Sequence, residues 1–223
     1  DSADGTPGNK TYEGQGNHNL SVGDVDGDGK DEILYGACAI DHDGKGLYST
    51  GLGHGDAMHL SDIDPGRPGL EIFAIHERPS HPHGANLRDA RTGEVIWSAA
   101  SPDAGRGLAM DIDPRYPGYE CWAAGRGLEA LYTCKGEKIG PVKPRSCNMG
   151  IWWDGDILRE WLDGTRISKW NHEDSTETVL LDGREYACVH NNGSKANPCL
   201  AADLLGDWRE ELLLRTQDSK ELR

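Results

Sequence analysis

A single Phe and three Met stand among 223 residues, and no apolar run approaches the length needed to cross a bilayer. A membrane is therefore not expected as a partner. Basic residues are also scarce, 23 Lys and Arg against 38 Asp and Glu, for a formal charge of −15. A polyanion needs excess positive charge on its binding face, so DNA and RNA are not expected as ligands. No Cys-x-x-Cys pair or zinc-like spacing occurs among Cys38, Cys121, Cys134, Cys147, Cys188 and Cys199, which argues against zinc. The six thiols read equally as up to three disulfides or as small buried apolar residues. The chain opens on Asp1 with no apolar leader-like stretch. The expectation is a soluble, secreted chain truncated at both ends.

What is abundant is glycine, 30 residues, with seven Trp, seven Tyr and a mean hydropathy of −0.67. That composition suits short strands joined by many turns. One design recurs, an acidic turn feeding an apolar run: Asp24-Val25-Asp26 before Glu32-Ile33-Leu34, Asp62-Ile63-Asp64 before Glu71-Ile72-Phe73, Asp111-Ile112-Asp113 before Glu120-Cys121-Trp122, and Asp203 and Asp207 before Glu211-Leu212-Leu213. The leading aspartates are 38, 49 and 92 residues apart, and Asp154-Gly155-Asp156-Ile157-Leu158 is a weaker copy inside the longest gap. This period matches a four-stranded β-propeller blade, and runs this short, bounded by Gly, Pro and Asp, disfavour helical repeats. The expectation is an all-β chain, residues 1–223 forming one partial propeller domain of about five blades. Hairpins are expected over 88–97, around Thr92-Gly93, and over 179–187.

The first turn sets carboxylates of Asp24, Asp26 and Asp28 at positions 1, 3 and 5, the Lys30 carbonyl at 7 and Glu32 at 9. Hard oxygen donors converging in this way suit calcium. Position 12 is Tyr35 rather than Glu and a strand-like run follows, so this is not an EF-hand. Without a cation the closely spaced carboxylates would repel one another. The copies at Asp62, Asp64 and Glu71, and at Asp111, Asp113 and Glu120, carry Asp-Pro in the middle and read as calcium sites or as turns capped by Asp alone. The turn at Asp203 is read as a plain connection.

Longer motifs carry a resemblance. Gly16-Asn17-His18-Asn19, Gly53-His54-Gly55-Asp56-Ala57-Met58-His59, Gly105-Arg106-Gly107 and Asn192-Gly193-Ser194-Lys195-Ala196 resemble those of the rhamnogalacturonan lyases of polysaccharide lyase family eleven, and the similarity runs almost end to end. The resemblance implies an eight-bladed propeller loaded with Ca2+, about five of whose blades would lie here. It implies a monomer that cuts the rhamnose–galacturonic acid bond of rhamnogalacturonan by β-elimination. It also implies Arg106 and Lys195 as catalytic residues, Asn192, Gly193 and Ser194 as a substrate-binding turn, and a metal site of His18, His54, Asp56 and Glu77. The family commonly has Thr where Ser194 stands. Arg stays protonated, whereas Lys loses its proton beside another cation, so Lys195 suits the base and Arg106 a carboxylate clamp. Imidazole is an unusual ligand for calcium.

Two other readings remain at this stage. A non-catalytic adhesion propeller braced by calcium needs neither Arg106 nor Lys195, and a glycoside hydrolase needs two carboxylates facing one sugar. Trp152, Trp153, Trp161 and Trp170 read as packing residues or as platforms for sugar rings.

Overall fold

The computed structural model describes residues 8–77 and 82–223. Its regular structure is almost all antiparallel strand, and four runs of the chain each fold into a four-stranded sheet. The first holds β1 (Ser21–Gly23), β2 (Glu32–Tyr35), β3 (Cys38–Ile40) and β4 (Gly46–Ser49) in sequence order. The second holds β5 (Met58–Ser61), β6 (Glu71–Ile75), β7 (Ala85–Asp89) and β8 (Val95–Ala99). The third holds β9 (Ala104–Met110), β10 (Glu120–Gly125), β11 (Leu131–Tyr132) and β12 (Lys138–Gly140). The fourth holds β13 (Met149–Ile151), β14 (Glu160–Asp163), β15 (Arg166–Asn171) and β16 (Thr176–Asp182). Two-stranded pairs join β17 (Cys188–Val189) to β20 (Arg215–Thr216) and β18 (Leu200–Ala202) to β19 (Glu211–Leu213).

The chain divides into two compact units, one running to Ala109 and resuming over Tyr116–Lys143, the other made of Met110–Arg115 and Pro144–Arg223. In the first, Phe73, Ile75, Leu87, Cys121, Ala123 and Leu128 form one buried cluster, and Leu34, Met58, Ile72 and Ala74 form another. Strand β6 is buried at all five positions, because an inner strand covered on both faces must be apolar throughout rather than alternating. In the second unit the core is smaller, Ile151, Leu162 and Ile167 with Trp153, Leu181 and Leu212 packed against them.

The propeller expectation is corrected here. The described residues form separate antiparallel sheets, none of them closed into a ring, so the fold is all-β without propeller closure. The 38-to-49-residue period reported a real local unit, the four-stranded antiparallel meander. A sequence period fixes the content of such a unit and leaves the arrangement of successive units undetermined. The hairpin around Thr92-Gly93 is present, joining β7 to β8 with Gly93 at φ 76°. The one expected over 179–187 is not: residues 176–182 form β16 and pair with β15, and the chain then enters a 3-10 turn, Gly183–Tyr186. Asp182 caps that turn by accepting the Arg184 N–H, which stops a second strand from forming.

The buried thiols Cys38 and Cys134 donate to the carbonyls of Tyr35 and Pro117, each at 3.2 Å, and pack as small apolar residues.

Candidate functional sites

Four of the repeated turns share one device, in which the glutamate that opens the following strand folds back and accepts backbone N–H from its own turn through Oε2. Glu32 accepts from Val25 at 2.9 Å; Glu71 from Ile63 and Asp64 at 3.0 and 3.1 Å; Glu160 from Trp153 and Asp154 at 3.0 and 3.3 Å; Glu211 from Leu204 and Leu205 at 2.8 and 3.1 Å. Glu32, Glu71 and Glu160 are 1 % exposed or less, so each carboxyl group is taken out of water at the base of its turn. A buried carboxylate is stabilised when a positive group lies at its other oxygen.

What the other oxygen meets differs from turn to turn. In the 24–32 turn Asp24 accepts from Gly27 and Gly29 at 2.8 and 3.0 Å, and Asp26 and Asp28 accept from Asp28 and Lys30 at 3.1 and 2.9 Å. These bonds wrap the turn so that ligand oxygens of Asp24, Asp26 and Glu32 lie within 4.8 Å of one another. Glu32 Oε1 is buried and has no hydrogen-bond partner. All the donors are oxygens, and one buried carboxylate oxygen of the group has no hydrogen-bond partner, so the residues fit calcium. His42, which the sequence reading missed, joins Asp28 and Glu32 in a second group of the same radius. Its Nδ1 lies 2.6 Å from Asp41 and its Nε2 2.8 Å from Lys30 Nζ.

In the 62–71 turn Arg67 takes the cationic role, with Nε 3.7 Å from Glu71 and NH2 3.7 Å from Asp89. Burial pushes the Glu71 carboxyl above its ordinary value, opposed by its backbone hydrogen bonds. Asp113 is fully buried and held bidentately by Arg115 at 2.8 and 2.6 Å; burial, then the Asp113 charge, raises the Asp111 carboxyl. Neither Asp62, Asp64 and Glu71 nor Asp111, Asp113 and Glu120 converges as the first turn does among the described residues. The 154–160 turn is the fourth case. Lys169 reaches in from β15 and pairs with Asp154, with Asp156 at 2.7 Å and with Glu160 Oε1 at 2.8 Å. Burial pulls the Lys169 ammonium down, and the three carboxylates outweigh it and hold it above its ordinary value.

Three of the four residues of the expected mixed metal site come together. His18 Nε2 is 3.0 Å from Asp56, and the His18 and His54 rings meet edge-on at 5.1 Å. A parallel bridge between Asn17 and Gly55 sets the two segments side by side, and His54 Nδ1 bonds the Gly16 carbonyl at 2.8 Å. Glu77 is exposed, and its N–H donates to the His54 carbonyl at 3.1 Å; its carboxylate is not grouped with His18, His54 and Asp56 among the described residues.

Arg106 lies half-buried on β9. The following Gly107 is required by packing, since a Cβ there would fall 2.6 Å from Ile75 Cγ2. Lys195 sits in a loop closed by a bridge between Asn191 and Asn197, with N–H to O distances of 2.7 and 3.0 Å. Inside it the Asn192 side chain accepts the Lys195 N–H at 3.3 Å, the Asn192 carbonyl accepts the Ala196 N–H at 2.7 Å, and Asn148 ties down the Lys195 carbonyl at 3.0 Å. Asn192 adopts φ 49°, a left-handed conformation that Asn tolerates better than most residues. Asn192, Gly193 and Ser194 are exposed and Lys195 is half-buried, so the loop presents a short polar surface around one amine. Of the tryptophans, Trp161 and Trp170 are buried, which leaves them to packing, while Arg159 lies over Trp152 at 5.1 Å.

The model for the C-terminal domain of rhamnogalacturonan lyase family 11 matches residues 1–223. A rhamnogalacturonan endolyase of Bacillus subtilis, YesW, is 58% identical over 217 residues, covering 97% of this chain and 34% of its own length. A rhamnogalacturonan exolyase of the same organism, YesX, is 53% identical over 231 residues, covering 97% of this chain and 37% of its own. The solved structure of a rhamnogalacturonan lyase from Bacillus licheniformis superposes with a TM-score of 0.93 at 59% identity, covering 98% of this chain and 37% of that one. The chain thus spans about a third of the length of the relatives it matches.

Proposed function

The chain belongs to rhamnogalacturonan lyase family 11, and from that membership we propose that it is the portion of a rhamnogalacturonan lyase that carries a calcium-stabilised set of turns and the amine of Lys195. The observation that carries the reading is the family match along the whole chain, together with the 191–197 loop, closed by the Asn191–Asn197 bridge, that carries one lysine. The proposed reaction is elimination at the galacturonate residue of the rhamnogalacturonan backbone. A base removes the C5 proton, the electron pair forms a C4=C5 double bond, and the C4–O bond breaks with its electrons going to the rhamnosyl oxygen, which is then protonated. Lys195 is assigned the base and Arg106 a clamp on a galacturonate carboxylate; Asn192, Gly193 and Ser194 supply hydrogen bonds to sugar hydroxyls. Each assignment rests on the residue's own motif.

Asp24, Asp26 and Glu32 would hold Ca2+, with Asp28 and the Lys30 carbonyl completing the oxygen set, and His18, His54 and Asp56 are a second candidate group. When bound, calcium supplies positive charge that fixes the turn and offsets carboxylate charge. We further propose a secreted monomer, since a polymeric backbone is cut before it can be taken up. The test is product analysis with a chain of the relatives' full length on rhamnogalacturonan. Ultraviolet-absorbing unsaturated ends are expected; saturated ends would mean hydrolysis, and no new ends a carbohydrate-binding role.

A further inference from the structure

The register of the sheets separates the turns by charge. In the second sheet the partner of Glu71 across the hairpin is Asp89. In the first, the Ile33–Ile40 pair extended by one residue sets Asp41 opposite Glu32. In the fourth, the Trp161–Ser168 pair extended by one residue sets Lys169 opposite Glu160. The same position thus carries an acid twice and an amine once. Where it is Asp41, Glu32 Oε1 is left without a hydrogen-bond partner, beside Asp24, Asp26, Asp28 and the His42 ring; where it is Lys169, the ammonium lies 2.8 Å from Glu160 Oε1, the corresponding atom.

We propose that Lys169 is a built-in cation, which makes the 154–160 turn a divalent-cation site displaced by the chain's own ammonium. The Lys169 nitrogen contacts three carboxylates, from Asp154, Asp156 and Glu160, as a bound ion would. Burial does not keep ions out: Asp156 is exposed, and a surface pocket lined by Asp156, Leu158, Lys169, Trp170, Asn171 and His172 opens beside the amine. Occupancy by Lys169 is what excludes a metal. Once the amine is removed, Glu160 Oε1 becomes the counterpart of Glu32 Oε1, a buried carboxylate oxygen in a ring of oxygens.

The experiment is calcium stoichiometry, measured by equilibrium dialysis with calcium chloride on the whole chain. Lys169→Met is expected to gain one calcium per chain relative to the parent. The reciprocal change, Asp41→Lys, is expected to lose one, and Asp156→Asn in the parent to lose none. A folded Lys169→Met with unchanged stoichiometry overturns the proposal, as does the loss of a calcium on Asp156→Asn. If Lys169→Met unfolds in chelator, recovery of its melting transition in excess calcium supports the proposal, and failure to recover overturns it. Only the Asp41→Lys arm rests on the calcium reading of the 24–32 turn. None of the arms reads lyase products, so failure here and failure of the proposed activity are distinguishable.

Discussion

The 24–32 and 154–160 turns are built alike and neutralised differently. Both end in a glutamate that is buried to within 1 % of full and bonds its own turn through Oε2, and in both the second aspartate bonds an amide two residues on. One has Asp41 at the next step of its register and an orphaned carboxylate oxygen; the other has Lys169 and three ion pairs. The turn geometry therefore belongs to the glutamate and the aspartates, and the two turns differ in the charge of the residue opposite the glutamate, Asp41 in one and Lys169 in the other. The largest expected effect follows from this. Glu160→Ala removes a nearly buried partner of an ammonium and the acceptor for two amides, and should cost about 3 kcal/mol, the low end for a broken buried pair because Asp154 and Asp156 remain. Urea denaturation should give the same loss in calcium and in chelator; a loss confined to calcium would put a metal where Lys169 is placed.

Chelation should come next. If the 24–32 turn holds calcium, saturation at a hundred times the dissociation constant stabilises the fold by about 2.7 kcal/mol, and chelator removes that amount. Amide exchange localises the effect: the Val25 N–H, bonded to Glu32, should lose protection in chelator, whereas those of Trp153 and Asp154, bonded to Glu160, should not. Equal losses at both would erase the distinction between the turns. Glu32→Gln sharpens it through a change of sign. In calcium the variant loses a charged ligand and should be less stable than the parent by about 1–3 kcal/mol. In chelator it no longer buries an unpaired carboxylate oxygen, so it should match or exceed the parent.

How much of this was legible in the sequence follows from the distances involved. The convergence of Asp24, Asp26 and Glu32 could be read because the three lie within nine residues of chain and a tight turn gathers them. The Thr92-Gly93 hairpin was legible for the same reason. Lys169 was not, although Glu160 and Lys169 flank Gly164 almost symmetrically, because the pair is set by the register of β14 with β15. His42 lies in the following hairpin and carried no signal of its own. Glu77 was placed with His18, His54 and Asp56 by resemblance, and among the described residues it is not grouped with those three. Propeller closure was inferred from a period, which describes each sheet and says nothing of how the sheets are disposed.

The smallest expected effect tests whether the two turns differ in backbone as well as in charge. Gly29 sits at φ 84°, where an alanine side chain would crowd its own carbonyl, and its N–H bonds Asp24 Oδ2 at 3.0 Å, so the residue must hold that conformation for the turn to close. Gly29→Ala should cost about 1–2 kcal/mol. Gly155 lies outside the left-handed region, and a Cβ there would meet nothing within 4 Å. Gly155→Ala should therefore be neutral or stabilising by up to about 1 kcal/mol, through the smaller freedom of the unfolded chain. Thermal melts of the two variants in chelator isolate the backbone contribution, because no ion is then present to mask it. Equal costs would mean that the 154–160 turn is strained in a way its dihedral angles do not reveal, and that Lys169 compensates for strain as well as for charge.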